Sequence, residues 1–126
     1  TRVNATGFAV ADAAVVGDVA GALTKARHAL ESGIDPVPLN AALASRLRTL
    51  VKVGAARGRG VDDKALGMAP WQVDRARKDL RHWSAQSLAL AIEAVAQADA
   101  EIKGASRSPG FALERAVREV ATLAAS

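Results

Sequence analysis

The amino-acid sequence predicts an all-α fold, and its composition, apolar spacing and helix-breaking residues all favour helices. Half of the 126 residues are hydrophobic, yet the chain holds only two Phe, two Trp and no Tyr, because alanine supplies most of the apolar content. Alanine favours closely packed helices, whereas strands prefer β-branched and aromatic side chains. Apolar residues recur every three to four positions, and Gly or Pro separates these segments. We therefore expect a single bundle of about seven helices.

Capping residues and prolines set the expected helix boundaries. Asp35-Pro36 provides an N-cap and a first-position proline for the third helix, Ser84 caps the sixth, and Ser108-Pro109 opens the seventh. A left-handed C-cap is expected at Gly104. Residues 1–7 lack periodicity and are interpreted as a residual linker before a helical domain over 8–126. The predicted helices cover residues 8–16, 18–31, 36–57, 62–67, 70–83 and 85–103, with the last beginning at 109.

Two predicted helices, 36–57 and 85–103, carry the longest apolar stripes and are expected to lie at the centre of the bundle. Their stripes consist of Leu39, Leu43, Leu47 and Leu50 in the third helix and of Leu88, Ile92, Val95 and Ile102 in the sixth. Asp99 lies on the second of these stripes, where a lone buried carboxylate would be costly. We therefore expect Asp99 to be at least half buried and paired, either with Lys103 or with Arg46 or Arg48. Together with Gly104, Asp99 and Lys103 are predicted to have structural roles.

Positive charge is concentrated in the middle of the chain. Residues 46–81 hold ten Lys or Arg and four Asp or Glu, a net charge of +6 against +4 for the whole chain. The predicted fifth helix places basic residues between two tryptophans, which makes it the candidate interface: Trp71, Arg75, Arg77, Lys78, Arg81 and Trp83. Such a face could grip phosphates and stack bases. Alternatively, the charges are only a solvated helix face and both tryptophans anchor the helix ends to the bundle.

A catalytic, metal or cofactor site is not expected in this chain. His28 and His82 lie on different predicted helices, and neither has a second ligand or a nucleophile at the required spacing. The glycine-rich run from Gly54 to Gly60 follows a helix and lacks the Gly-Lys-Ser/Thr ending of a phosphate-binding loop. We therefore expect no catalytic residue, no metal, no cofactor and no nucleotide binding.

Membrane and secreted classes are also disfavoured. No apolar run approaches the roughly 20 residues that span a bilayer, and the chain has no cysteine. The lack of disulfides suits a reducing compartment, so a cytoplasmic location without membrane contact is expected.

Four stretches in a particular order resemble a known family. They are Val10-Ala-Asp-Ala-Ala-Val-Val-Gly-Asp18, Ala22-Leu with Leu30-Glu-Ser-Gly-Ile-Asp-Pro36, Leu43-Ala-Ser-Arg-Leu-Arg-Thr-Leu50, and Ala98-Asp with Ile102-Lys-Gly104 and Ala112-Leu-Glu114. From about Phe8 onward the chain is similar to the C-terminal domain of the delta subunit of bacterial DNA polymerase III, a clamp-loader subunit.

The resemblance implies a collar-like oligomerisation module with no chemistry of its own. Its partners would be the ATPase subunit and delta-prime in the ring that loads the sliding clamp on primed DNA. The clamp itself would be contacted only through amino-terminal domains that this sequence does not include, and DNA contact through the assembly stays open. The parent assembly resembles a DNA-directed DNA polymerase holoenzyme, a nucleotidyltransferase. The alternative is a free-standing basic helical module that binds nucleic acid through the candidate interface.

Overall fold

Six α-helices make up most of the described chain. The computed structural model describes residues 2–56, 66–104 and 107–126, with side chains described from Ala5 onward. The helices are α1 Arg2–Val15, α2 Val19–Glu31, α3 Pro36–Ala56, α4 Pro70–Asp79, α5 Ala85–Lys103 and α6 Pro109–Ala125, and a 3-10 turn over Leu80–His82 follows α4. These ranges contain no strand, so the all-α prediction is confirmed. The basic turn at 57–60 and most of the short helix expected at 62–67 lie outside the described residues.

Side-chain caps explain where α3 and α5 begin. Asp35 Oδ1 accepts a hydrogen bond from the Val37 backbone N–H at 2.8 Å, and α3 starts at Pro36 as predicted. Ser84 Oγ accepts from the Ser87 N–H at 3.0 Å, which fixes the start of α5. Each side-chain oxygen satisfies a backbone donor that the first turn leaves unpaired. Two helix starts were therefore readable from single residues.

The first helix begins earlier than predicted. It starts at Arg2 rather than at Phe8, so the structure places residues 2–7 of the segment interpreted as a linker within α1. Gly7 lies in this part of the helix, where a Cβ atom would lie 3.1 Å from the Ala42 Cβ of α3. Glycine lowers helix propensity, but here it lets two helices approach closely, and no local pattern reveals that contact.

Two predicted helix ends also need correction. Gly104 has φ −89° and is not left-handed; glycine suits it because a Cβ there would lie 2.9 Å from the Ala100 carbonyl oxygen. The helix expected over 70–83 stops at Asp79 and tightens into the 3-10 turn. Trp83 then adopts an extended conformation, with φ −129° and ψ 145°, which turns the chain toward α5.

The core is centred on α3 and α6. Helix α3 packs against α1, α4, α5 and α6, as expected from its leucine stripe, and Leu39, Leu43, Leu47 and Leu50 are buried. Helix α5 packs mainly against α3 and α6, so the prediction that it lies at the centre is wrong. Helix α6 takes that place, with seven buried residues against α1, α2, α3 and α5. None of the described helices is long and apolar enough to cross a membrane.

A buried ion-pair network joins α1, α3 and α4. Arg46 of α3 is buried, and its Nη2 donates to Asp79 Oδ2 of α4 at 2.5 Å, while its Nε donates to Asp12 Oδ1 of α1 at 3.0 Å. Asp79 is buried as well. The other Asp12 oxygen lies 2.5 Å from Arg75 Nη2 of α4. The Arg46–Asp79 pair fixes α4 on α3, because each buried charge requires its partner, and the more exposed Arg75–Asp12 pair adds a contact with α1.

Asp99 is about half buried and paired, as predicted, but it does not belong to the ion-pair network around Arg46. Its side chain is 48% exposed and pairs locally with Lys103 Nζ at 3.0 Å. The local pairing predicted as one of two alternatives is therefore present, whereas Arg46 is occupied by Asp12 and Asp79. Half-exposed pairs within one helix contribute only a few tenths of a kcal/mol.

Replacing the two acids separately should distinguish their roles. Asp79→Ala leaves the buried Arg46 guanidinium without one of its two carboxylates and should cost about 3 kcal/mol of unfolding free energy. Asp99→Ala, the matched control in α5, should cost less than about 0.5 kcal/mol. Urea unfolding followed by circular dichroism measures both values. Equal losses in the two variants would show that the network does not hold α4.

Candidate interaction surface

Helix α4 separates an apolar side from a strongly basic one. Val73 and Ala76 are buried, as is Leu80 in the following turn, and α4 packs on α3. The outward side of this segment carries five of the predicted interface residues, all exposed, and these define the α4 face: Trp71, Arg75, Arg77, Lys78 and Arg81. The structure therefore places five of the six candidates on the surface of one short segment.

An open cleft lies between the start of α4 and the helices beneath it. Its volume is about 310 Å³, and its lining residues define the α1–α4 cleft: Phe8, Asp12, Ser45, Arg46, Thr49, Trp71, Gln72 and Arg75. Trp71 is 62% exposed, and Phe8 is exposed on the opposite helix. Trp71 does not anchor the helix, so for this residue the anchoring alternative is wrong. Two large aromatic groups therefore remain open to solvent beside an arginine.

Arg75 is held in position within this cleft. Both oxygens of Asp12 are engaged, Oδ1 by Arg46 Nε and Oδ2 by Arg75 Nη2. The Asp12 carboxylate therefore lies between two guanidinium groups and holds Arg75 at the edge of the cleft.

Trp83 has the anchoring role instead. Its indole Nε1 donates to the Val15 carbonyl oxygen at 2.9 Å, and its side chain is partly buried against the core. This bond satisfies a carbonyl at the C-terminal end of α1, where helical partners run out. Trp83 therefore secures the chain after α4 to α1 and does not belong to the α4 face.

The remaining candidates show simple surface geometry. Arg77 Nη1 lies 3.8 Å from Asp74 Oδ1 one turn earlier, a weak pair between exposed groups. His28 and His82 are both exposed, on α2 and on the 3-10 turn. Within the described ranges, no group of three His, Asp or Glu is placed to hold a metal ion.

Sequence reasoning missed Phe8, Asp12 and Asp79. A signal existed for Phe8, which precedes Asp12 by one helical turn and therefore shares its side of α1. Asp79 carried no such signal, since it follows a run of basic residues and resembles a surface acid in the sequence. Only the packing of α4 on α3 makes it a buried partner of Arg46.

Phenylalanine substitutions should distinguish the two tryptophans. Trp83→Phe removes the hydrogen bond to the Val15 carbonyl and should lower the unfolding free energy by about 1–2 kcal/mol. Trp71→Phe, the matched control, should leave it unchanged within about 0.5 kcal/mol, because the ring is mostly exposed. Chemical unfolding of both variants tests this. A larger loss for Trp71→Phe would show that Trp71 has a structural role.

Comparison with known proteins identifies the domain. Searches among curated proteins and among solved structures found no significant match. The family described as "DNA polymerase III delta subunit, C-terminal domain" matches residues 4–120. This match covers most of the chain and includes most of α1, all of α2 to α5 and most of α6, the helices that build the core and the α1–α4 cleft. The chain therefore belongs to the family of C-terminal domains of the DNA polymerase III delta subunit.

Proposed function

We propose that this domain locks its delta subunit into the clamp-loader ring through the α4 face and the α1–α4 cleft. The domain supplies a rigid packing surface rather than chemistry. Its neighbours in the ring are the ATPase subunit and delta-prime. The assembly loads the sliding clamp on primed DNA, while the clamp is contacted by amino-terminal domains outside this sequence. In this proposal the complex is cytoplasmic, and nucleotidyl transfer belongs to the polymerase holoenzyme that it serves.

One observation carries the proposal: an exposed aromatic pair lies beside an arginine whose position is fixed. Trp71 and Phe8 border the α1–α4 cleft, and Asp12 holds Arg75 between the two helices. Tryptophan and arginine are the residue types that most often dominate binding energy in protein interfaces. Because α4 is held on α3 by a buried ion pair and on α1 by the more exposed Arg75–Asp12 pair, a partner loses little free energy in ordering this surface.

Charge gives the same surface a second role. Arg77, Lys78 and Arg81 extend the α4 face with exposed positive charge. Charges at the rim of an interface mainly accelerate and orient association, whereas buried aromatic contacts slow dissociation. An acidic surface on the partner subunit would therefore be attracted before the cleft is filled.

Two variants should separate these contributions in binding to the purified ATPase subunit. Trp71→Ala should weaken the equilibrium affinity about 30-fold, the effect of losing roughly 2 kcal/mol at a central contact. Lys78→Glu combined with Arg81→Glu should slow association about tenfold at low salt, and much less at high salt, because salt screens exposed charges. Stopped-flow or surface-based kinetics over a range of ionic strength measures both effects.

Matched controls come from other helices of the same chain. Phe111→Ala removes an exposed aromatic residue from α6, and Lys25→Glu reverses an exposed charge on α2. Neither should change the kinetics. If Trp71→Ala and the charge-reversed variant both bind with the kinetics of the parent, the α4 face is not part of the interface. Salt-dependent binding of the domain alone to primed DNA, lost in the charge-reversed variant, would support the nucleic-acid alternative instead.

A further inference from the structure

A second unfilled surface runs between α3 and α5. Two openings of about 460 and 500 Å³ lie along α3 and α5 and share Ile92 as a lining residue; together they are here termed the α3–α5 groove. Its walls include Ala44, Arg48 and Val51 of α3 and Leu88, Ile92 and Ala96 of α5. Leu80, Trp83 and Ser84, which precede α5, line one of its ends.

One apolar side chain of α5, that of Ile92, lies in the groove and not in the core. The apolar stripe of α5 predicts Ile92 to be buried, but it is 40% exposed, and Val51 across the groove is equally exposed. Leu88 and Val95 on either side of Ile92 along α5 are buried. Ile92 therefore lies at the centre of an apolar trough whose floor belongs to the core and whose top is open.

The small residues along both walls suit a helix as the occupant. Alanine and glycine let a third helix approach to the 8–10 Å at which helices pack. The groove follows α3 from Asn40 to Ala55, which is about 22 Å at the helical rise and matches a helix of roughly 15 residues. An occupant of four turns would fill it.

One end of the groove holds a polar atom without a partner. Asn40 is 2% exposed, and its Nδ2 donates to the Val95 carbonyl oxygen at 3.2 Å. Its Oδ1 is buried and has no hydrogen-bond partner among the described residues. A buried unsatisfied acceptor costs free energy, so the contact between α3 and α5 is not fully satisfied at this end of the groove.

The charge at the groove edge identifies the kind of occupant. Arg48 lines the groove and is exposed, and Lys52 is exposed one helical turn further along the same edge of α3. Lys103 lies at the end of the groove that Asn40 lines, and it pairs there with Asp99. Three cations against one acid favour an occupant with negative charge beside its apolar stripe.

We propose that the α3–α5 groove receives an amphipathic helix with acidic flanks from a neighbouring clamp-loader subunit. Its apolar residues, spaced at three and four positions, pack on Ile92 and Val51. Its acidic residues face Arg48 and Lys52. The inference rests on the proposed function, because a ring member has two neighbours and the α4 face accounts for one of them. It assigns the second contact to a different side of α3.

The test measures assembly of the whole chain with the purified ATPase subunit and delta-prime by native mass spectrometry. Ile92→Glu places a charge in the groove and should weaken the binding of one neighbour about tenfold or more, the effect of losing one central contact. Leu90→Glu is the matched control, since Leu90 is 47% exposed on the same helix but borders α6 instead. The double variant Arg48→Glu and Lys52→Glu should weaken the binding of the same neighbour, and it leaves the apolar lining of the groove unchanged.

A photo-crosslinking residue at position 92 identifies the occupant within the assembly. Crosslinks to a helix with acidic residues flanking its apolar stripe support the proposal. Parental assembly by both Ile92→Glu and the double charge variant would overturn it, as would crosslinks to a second copy of this chain or to DNA. If the parent chain itself binds neither subunit, both the proposed function and the groove proposal are wrong. If assembly is weakened by Trp71→Ala but not by the groove variants, only the groove proposal is refuted and the proposed function stands.

Discussion

The buried pair between Arg46 and Asp79 is the constraint on which the placement of α4 depends. Each charge is out of water and would be strongly unfavourable alone, so α3 and α4 have to bring the two side chains together. The pair also limits where α1 can lie, because Asp12 binds Arg46 and Arg75 at the same time. One guanidinium group thus joins α3 to both α1 and α4.

This constraint has a consequence for binding. Helix α4 is only ten residues long, and an isolated helix of that length is marginal in water. Held by Asp79 and by Val73 and Ala76 in the core, it can present the exposed Trp71 in a fixed position. The α3–α5 groove lies on another side of α3, so the same central helix supports both surfaces. Under the proposed function, the domain serves in this way as a rigid connection between two neighbours.

The sequence predicted what local signals determine. The all-α class, the central place of α3 and the helix starts at Pro36, Ala85 and Pro109 followed from apolar spacing, caps and prolines. Contacts between distant helices could not be predicted, because Gly7 against Ala42 and Arg46 against Asp79 have no local pattern. The prediction that α5 lies at the centre of the bundle was wrong for a related reason.

An apolar stripe shows which face of a helix avoids water but does not show what covers it. In α5 the stripe continues from buried Leu88 and Val95 to the exposed Ile92. The α4 face was found because basic residues at helical spacing are visible in the sequence. Phe8 and the groove required the packed structure.

A double-mutant cycle between Arg46 and Asp79 tests the central constraint most directly. Arg46→Met, Asp79→Leu and the combined variant would be compared with the parent by urea unfolding. If the two charges compensate each other, the combined variant should be more stable than the sum of the single losses allows, with a coupling free energy of about 2 kcal/mol. Single losses that add within about 0.5 kcal/mol would show that the pair does not hold α4 on the bundle.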